Sequence, residues 1–393
     1  MLEPSNNKKD NAVVNIFVKS ILVTGFYWLC LLPTVIASPI PSPPTLSSAS
    51  YILLDFNTGK VLAEKDADVR RSPASLTKLM TAYVVYKELT EKNIALSDIV
   101  NISKKAWQTG GSRSFLEVNK KVPVEILLKG MIIQSGNDSS VALAEYIAGS
   151  EETFTDLMNH HAQQLGMTNS KFANASGLPA DDHYSSSRDI SMLARAIIRE
   201  FPEFYSWYSL REFTYDNIRQ YNRNTLLRRD RYVDGLKTGY TKKAGYCLAA
   251  SAKRHGMRLV SVLLGGSGKD IRASETQALL NYGFRFYETH RLYRAAETVY
   301  SSKIWKGEKD HITLGIEQDF FVTIPRKQYK KLASSATLDA TIVAPITKGA
   351  AIGVVNIKFR DEDIASIPLL ALEDIPEGSL WGSMVDSVKL WFK

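Results

Sequence analysis

Three strand-length apolar runs, Val233 to Lys237, Gly245 to Ala252 and Arg258 to Leu264, follow one another with only short turns between them. No other feature constrains the fold as much, because runs spaced in this way pair as an antiparallel meander. Two shorter runs stand far upstream, Ser50 to Leu54 and Lys60 to Ala63, around the turn residues Asn57-Thr58-Gly59, and predict a hairpin. Between the two groups the pattern is helical. From about Ser75 to Leu89, one face carries Leu76, Leu79, Met80, Tyr83 and Val84, with Pro73 suited to the start. Val124 to Ile133 is helical, as is Ser150 to Leu165, which has acids in its first turn and Gly166 at its end. A helix that begins near Arg188 is stopped by Pro202, and a last one, about Ile271 to Tyr287, can pack back on the meander. Strands at both ends of a helical middle predict an α/β (α+β) domain over residues 50–290, with one antiparallel sheet covered by helices.

After about Arg291 the periodicity changes. Alternating runs such as Phe320 to Ile324, Thr341 to Val343 and Ala351 to Phe359 predict a second, small all-β domain over 291–376. Residues 377–393 differ again. At about 100° per residue, Leu380, Trp381, Met384, Val385, Val388, Trp391 and Phe392 fall in one arc. Gly382, Ser383, Asp386, Lys389 and Lys393 fall opposite, and Leu390 alone is out of place. Tryptophan and phenylalanine on the apolar side favour a helix lying in a membrane interface over one packed on the second domain.

A chain of 393 residues with 45% hydrophobic and 23% charged residues has room for two or three domains. The net charge of +8 is modest, and no block of like charges supports nucleic-acid binding. Lys8, Lys9 and Lys19 flank a mostly apolar run from Ile21 to Ile36 that ends in Val35-Ile36-Ala37. This reads as a secretory signal, 1–37, cleaved after Ala37, with an uncleaved anchor as the alternative. The Pro/Ser-rich residues 38–49 then form a linker. Cleavage leaves Cys247 as the one cysteine, so no internal disulfide holds the fold, and its apolar run suits a small buried side chain. The histidines show no ligand spacing, so no metal or cofactor is expected. Gly265-Gly266-Ser267-Gly268-Lys269-Asp270 imitates a phosphate loop but lacks its first glycine and its Ser/Thr. It reads as a strand-to-helix turn.

Chemistry concentrates in three short motifs, Ser75-Leu76-Thr77-Lys78, Ser135-Gly136-Asn137 and Lys237-Thr238-Gly239. Each alone is weak; Ser5-Asn6-Asn7-Lys8 matches the first by chance. On a helix, residues three apart share a face, so Lys78 would lie beside Ser75. A serine hydroxyl needs a neighbouring base, and a lysine serves if burial and nearby positive charge depress its pKa, with Lys237 available as that second cation. Ser75 at a helix start also directs a backbone N–H at a developing oxyanion.

In this order the motifs are the signature of penicillin-binding proteins and serine β-lactamases. Leu54-Asp55, Asn57-Thr58-Gly59-Lys60, Pro73 to Thr81, Ser135-Gly136-Asn137-Asp138, Asn222-Arg223-Asn224 and Asp234 to Gly239 narrow the likeness. With them the chain resembles the low-molecular-mass D-alanyl-D-alanine carboxypeptidases over nearly all of its mature length. That family's DD-peptidase/β-lactamase-like fold, β-rich second domain and amphipathic membrane-seated tail are thereby expected. The resemblance implies roles. Ser75 is the nucleophile, Lys78 its general base, and Ser135 relays a proton to the leaving amine. Asn137 holds the substrate amide and Lys78, while Lys237, Thr238 and Arg272 meet the terminal carboxylate. Backbone N–H groups of Ser75 and Tyr240 form the oxyanion hole. Tyr240 stands where the family commonly has histidine. The implied partners are stem peptides of peptidoglycan ending in D-Ala-D-Ala, β-lactam antibiotics and the membrane surface, at the periplasmic face of the inner membrane. Related readings are a DD-endopeptidase and a β-lactamase. No Glu-x-x-Leu-Asn run between Asn137 and Lys237 supports the class A form of the latter. A catalytically idle wall-binding scaffold conflicts with the intact Ser75, Lys78, Ser135 and Lys237.

Overall fold

The computed structural model describes residues 40–392, so the expected signal 1–37, with Cys30, lies outside them. The meander forms as β3 (Val233–Thr241), β4 (Gly245–Arg254) and β5 (Met257–Gly266), and the hairpin as β1 (Ser50–Asp55) and β2 (Val61–Lys65). They join in one antiparallel sheet of order β2-β1-β5-β4-β3, with Ser50 opposite Leu264 and Asp55 opposite Leu259. The strands run several residues longer than the apolar runs alone predict. Pairing extends through polar positions such as Tyr240 and Lys253, since a ladder needs backbone partners and not side-chain hydrophobicity.

Period-2 alternation along these strands buries both faces of the sheet. Ile52, Leu54, Val260 and Val262 enter the main core, which also holds α1 (Lys78–Thr90), α2 (Asn137–Ala148), α3 (Glu151–Gln164) and α4 (Ser187–Glu200). Leu53 and Leu259 face the other way, onto Gly283 of α5 (Lys269–Phe286), where a Cβ would lie only 2.6 Å from Leu259 Cδ1. Helices therefore cover both faces. The end of the expected linker is docked on α5: Ser47 N–H donates to Glu275 Oε1 at 2.6 Å, and the Ser48 hydroxyl to Glu275 Oε2.

α1 departs from the one-sided stripe read in the sequence. Every residue from Lys78 to Tyr86 is buried, so the helix is a central strut packed all round. α4 keeps the amphipathic form, capped by Ser186 Oγ accepting the Asp189 N–H at 3.1 Å and ended just before Pro202.

The β-rich part holds a two-stranded ribbon of β6 (Tyr287–Tyr293) with β9 (Phe320–Pro325). A second five-stranded sheet contains β7 (Tyr300–Lys303), β8 (His311–Gly315), β10 (Leu332–Leu338), β11 (Ala351–Phe359) and β12 (Glu362–Ala371). The Asn57-Thr58-Gly59-Lys60 turn binds the ribbon. The Asp55 carboxylate accepts the Thr289 hydroxyl at 2.7 Å, Thr58 and Thr323 hydroxyls meet at 2.8 Å, and Lys60 Nζ donates to Thr323 O at 3.1 Å. This turn motif thus works as a fastener between the helix-covered sheet and the β-rich part.

The tail is a helix, α6 (Leu380–Trp391), capped by Ser379 Oγ. Its polar side faces the protein, where Asp386 Oδ2 accepts the Lys306 N–H at 2.8 Å. Leu390, the residue that breaks the arc, is half-buried on that same side, four positions on from Asp386. The arc itself points to solvent, with Leu380, Trp381, Trp391 and Phe392 between 79% and 93% exposed. Among the described residues no helix is long and apolar enough to cross a membrane.

Candidate active site

Ser75 sits in a 3-10 turn, Ala74–Thr77, that precedes α1. The turn is entered through Ala74 at φ +47°, a left-handed conformation that costs a residue with a Cβ about 1–3 kcal/mol. Lys78 Nζ lies 3.0 Å from Ser75 Oγ, 2.6 Å from Asn137 Oδ1 and 2.5 Å from Ser176 O. Three contacts at one nitrogen suit two chemical states. As an ammonium, Lys78 donates to all three; as a free amine, it donates to Asn137 and Ser176 and turns its lone pair to the serine hydroxyl. Burial pulls Lys78 down to about 7, opposed by the Asp138 carboxylate and aided by Arg223. The free amine is therefore well populated at neutral pH.

Two glycines let backbone approach the turn that carries Ser75. Gly177, at φ +84°, passes so near that a Cβ would fall 1.9 Å from Ala74 O. A Cβ on Gly239 would fall 3.0 Å from Pro73 O and 3.1 Å from Ser75 N, so β3 runs against the turn that carries Ser75. The third residue of the Lys-Thr-Gly motif is small for that reason.

The helix expected over Val124 to Ile133 holds as an α-helix only to Lys129 and widens to a π-turn over Gly130–Gln134. Such widening recurs at functional sites. Here it ends at Ser135 in the left-handed region, φ +69°, and the chain then enters α2 at Asn137. Asn137 Nδ2 donates to Gly110 O at 2.6 Å, and its N–H to Ser112 O at 2.7 Å, which fixes the amide for Lys78. Asp138 is buried and accepts the Ser114 N–H at 2.8 Å and the Leu116 N–H at 3.2 Å.

The structure brings the sequence candidates together. Ser75, Ser135, Asn137, Thr238, Tyr240 and Arg272 line one cleft of about 710 Å³. Lys78 and Lys237 are buried, 1% and 2% exposed. Lys237 Nζ donates to Thr238 O at 3.2 Å, and burial holds it well below the usual lysine range, with Lys78, Arg223 and Arg272 adding to the fall. Arg272 is buried too. Its Nη1 donates to Gly239 O at 2.9 Å and Cys247 O at 3.3 Å, so part of its donor fork is already used by β3 and β4. The Tyr240 ring is half exposed and packs on Tyr246 at 4.4 Å between centroids, while the Arg272 guanidinium lies 5.5 Å from the Tyr246 ring. Cys247 is buried and its thiol is pushed up to about 11, away from thiolate chemistry.

Some participants were not assigned from sequence. Residue patterns give Arg223, within Asn222-Arg223-Asn224, no role, yet it lines the cleft and depresses both lysines; Lys78 owes part of its fall to Arg223, whereas the sequence points to Lys237 as that cation. The Ser176 carbonyl leaves no trace in side-chain patterns, because any residue type supplies one. His183 stands alone in sequence but packs under the site. Its Nδ1 accepts the Ala173 N–H at 3.1 Å, so the neutral ring carries its proton on Nε2 and donates to Thr77 Oγ1 at 2.7 Å. Burial, then Lys78, lowers it to about 4.

Residues 37–268 match the model of the S11 peptidases, described as D-alanyl-D-alanine carboxypeptidase, and 287–377 match that of the penicillin-binding protein 5 C-terminal domain. The chain is 43% identical over 365 residues to the D-alanyl-D-alanine carboxypeptidase DacA of Escherichia coli K12, covering 91% of each. It is 37% identical to DacF of Bacillus subtilis, over 88% of this chain and 90% of that one. Among solved structures, penicillin-binding protein 5 of Haemophilus influenzae superposes with a TM-score of 0.81 at 39% identity, over 86% of this chain and all of that one. A point mutant of the Streptomyces K15 DD-transpeptidase superposes at 0.59 and 29% identity, over 62% of this chain and 99% of its own.

Proposed function

Since the chain belongs to the S11 peptidases, the D-alanyl-D-alanine carboxypeptidase family, we propose that it removes the terminal D-alanine from peptidoglycan stem peptides through an acyl-enzyme on Ser75. The observation that carries the site assignment is the buried amine of Lys78, 3.0 Å from Ser75 Oγ and held near neutrality. Lys78 takes the Ser75 proton as Oγ attacks the carbonyl of the penultimate D-alanine. The oxyanion forms against the backbone N–H groups of Ser75 and Tyr240. Ser135, at the cleft wall, passes a proton to the departing amine. Lys237, Thr238 and the uncommitted side of Arg272 receive the terminal carboxylate, and Asn137 orients both Lys78 and the substrate amide. Water then attacks the ester with Lys78 again as base, and β-lactams acylate the same serine. Incubation with purified muropeptides tests the reaction: tetrapeptide and free D-alanine, read by mass spectrometry, are the expected products. Products cut only at cross-links would instead mark an endopeptidase.

Tyr240 works in this scheme through its N–H, so the phenol is dispensable. Tyr240→Phe keeps the N–H and the stacked ring, and kcat/KM for a D-Ala-D-Ala peptide stays within about tenfold, roughly 1.4 kcal/mol in barrier. A hundredfold loss in a folded variant, the size of a lost oxyanion donor, would assign the phenol a proton or a substrate contact.

Export and seating on the membrane complete the reading. Residues 1–37 direct export, residues 50–290 form the catalytic domain, and residues 291–376 form a β-rich stand that carries α6. The outward apolar arc of α6 supports insertion in the interface at the periplasmic face. A chain ending at Gly378 keeps the Gly378 N–H to Lys306 O bond and loses the arc. It fractionates with soluble protein and still cleaves a soluble peptide. If it stayed with membranes, an uncleaved amino-terminal segment would be the anchor.

A further inference from the structure

One wall of the cleft carries more positive charge than a terminal carboxylate needs. Arg223, Arg228, Lys269 and Arg272 line the cleft, and among the described residues no aspartate or glutamate does. The acid next to Lys269 in the chain is already taken: Asp270 pairs with Arg229 at 2.5 Å. That bridge ties 226–229 to the first turn of α5 and leaves the two adjacent cations, Arg228 and Lys269, facing the cleft without a carboxylate partner among the described residues. Arg228 rests on an aromatic ring. Its guanidinium lies 5.5 Å from the Tyr221 ring, and its one hydrogen bond, to Arg211 O, is long at 3.5 Å. Tyr221 is itself 48% exposed on the cleft wall, with Arg219 also 5.3 Å from its ring. Arg219, by contrast, is paired with Glu212.

From this juxtaposition we infer that Arg228, which rests on Tyr221, and Lys269 form a subsite for a second carboxylate on the substrate. The inference rests on the carboxypeptidase reading above. In that reaction nothing follows the terminal D-alanine, so the second carboxylate belongs to the residues that precede the D-Ala-D-Ala pair. Unpaired like charges in one cleft repel each other unless an anionic ligand brings the counter-charge. A cleft of about 710 Å³ also has room for several residues beyond a dipeptide. The subsite therefore reads free carboxylates along the stem peptide, and amidation of those carboxylates weakens recognition there.

Two synthetic peptides ending in D-Ala-D-Ala test this, one with glutamate and one with isosteric glutamine at the two preceding residues. The full chain is expected to favour the acidic peptide in kcat/KM by about tenfold, the scale of one charge-assisted contact. The preference shrinks as salt screens the exposed cations. In a double variant, Arg228→Gln with Lys269→Gln, the ratio falls to within about twofold, whereas Arg228→Lys retains it by keeping the charge. Both side chains are exposed, so the core is untouched. Equal cleavage of the two peptides by the parent chain overturns the subsite, as does a ratio that survives the double variant. Cleavage of neither peptide overturns the carboxypeptidase reading itself, and the subsite with it.

Discussion

Ser75→Ala abolishes both turnover of D-Ala-D-Ala peptides and covalent capture of penicillin. Removing an activated serine costs about 10⁶ in kcat where this has been measured, leaving only what binding and oxyanion donors supply. The substitution deletes one oxygen whose one side-chain partner among the described residues is Lys78, so the turn, α1 and the core remain. The parent chain incubated with penicillin gains a single adduct in its intact mass, and digestion places it on the peptide that contains Ser75. An adduct that persisted in Ser75→Ala would move the nucleophile elsewhere. Ser135 is the nearest rival on chemical type, but the described contacts place no base beside its hydroxyl, whereas Ser75 has one at 3.0 Å.

Much of the molecule could be read from residue order because local and global signals agree. The sheet is built from both ends of its domain, as the separated strand runs imply, and Ser75, Ser135, Asn137, Thr238 and Gly239 from the three short motifs meet at one cleft, with Lys78 and Lys237 buried. Legibility fails where backbone, not side chains, does the work. The π-turn before Ser135 satisfies the same apolar pattern as an α-helix, so nothing in Val124 to Gln134 announces that the last turn widens. The Ser176 carbonyl that receives Lys78 has no residue signature at all. Asp55 and Thr58 share a motif with the catalytic family, yet their partners, Thr289 and Thr323, lie more than two hundred residues away in sequence and carry no periodicity to link them. Leu390 breaks the tail's arc on an angular wheel because it shares with Asp386 the side that meets the protein. Such a wheel alone cannot say which side of a two-sided helix meets the body.

Lys78→Met removes the base, and the loss in kcat/KM is expected at about 10³ or more, toward the upper end of what general-base catalysis contributes. Methionine matches the lysine stem in length, but it leaves Asn137 Oδ1 and Ser176 O without a donor and Ser75 without a proton acceptor. Lys78→Arg does not rescue it, because a guanidinium stays protonated and cannot accept the serine proton. The same residue sets the pH dependence. A lysine must be neutral to act as base, so the active form is lost as pH falls through the Lys78 value of about 7. In the parent chain kcat/KM then drops about tenfold for each pH unit below that value, and penicillin acylation follows the same limb. Arg223 favours the neutral amine and Asp138 the charged one, so the limb reports their balance. Arg223→Gln removes a neighbouring positive charge, which lets Lys78 hold its proton more tightly and moves the limb to higher pH. A profile flat down to about pH 5 would mean that some other group takes the serine proton, since a base with a value near 7 cannot stay active there.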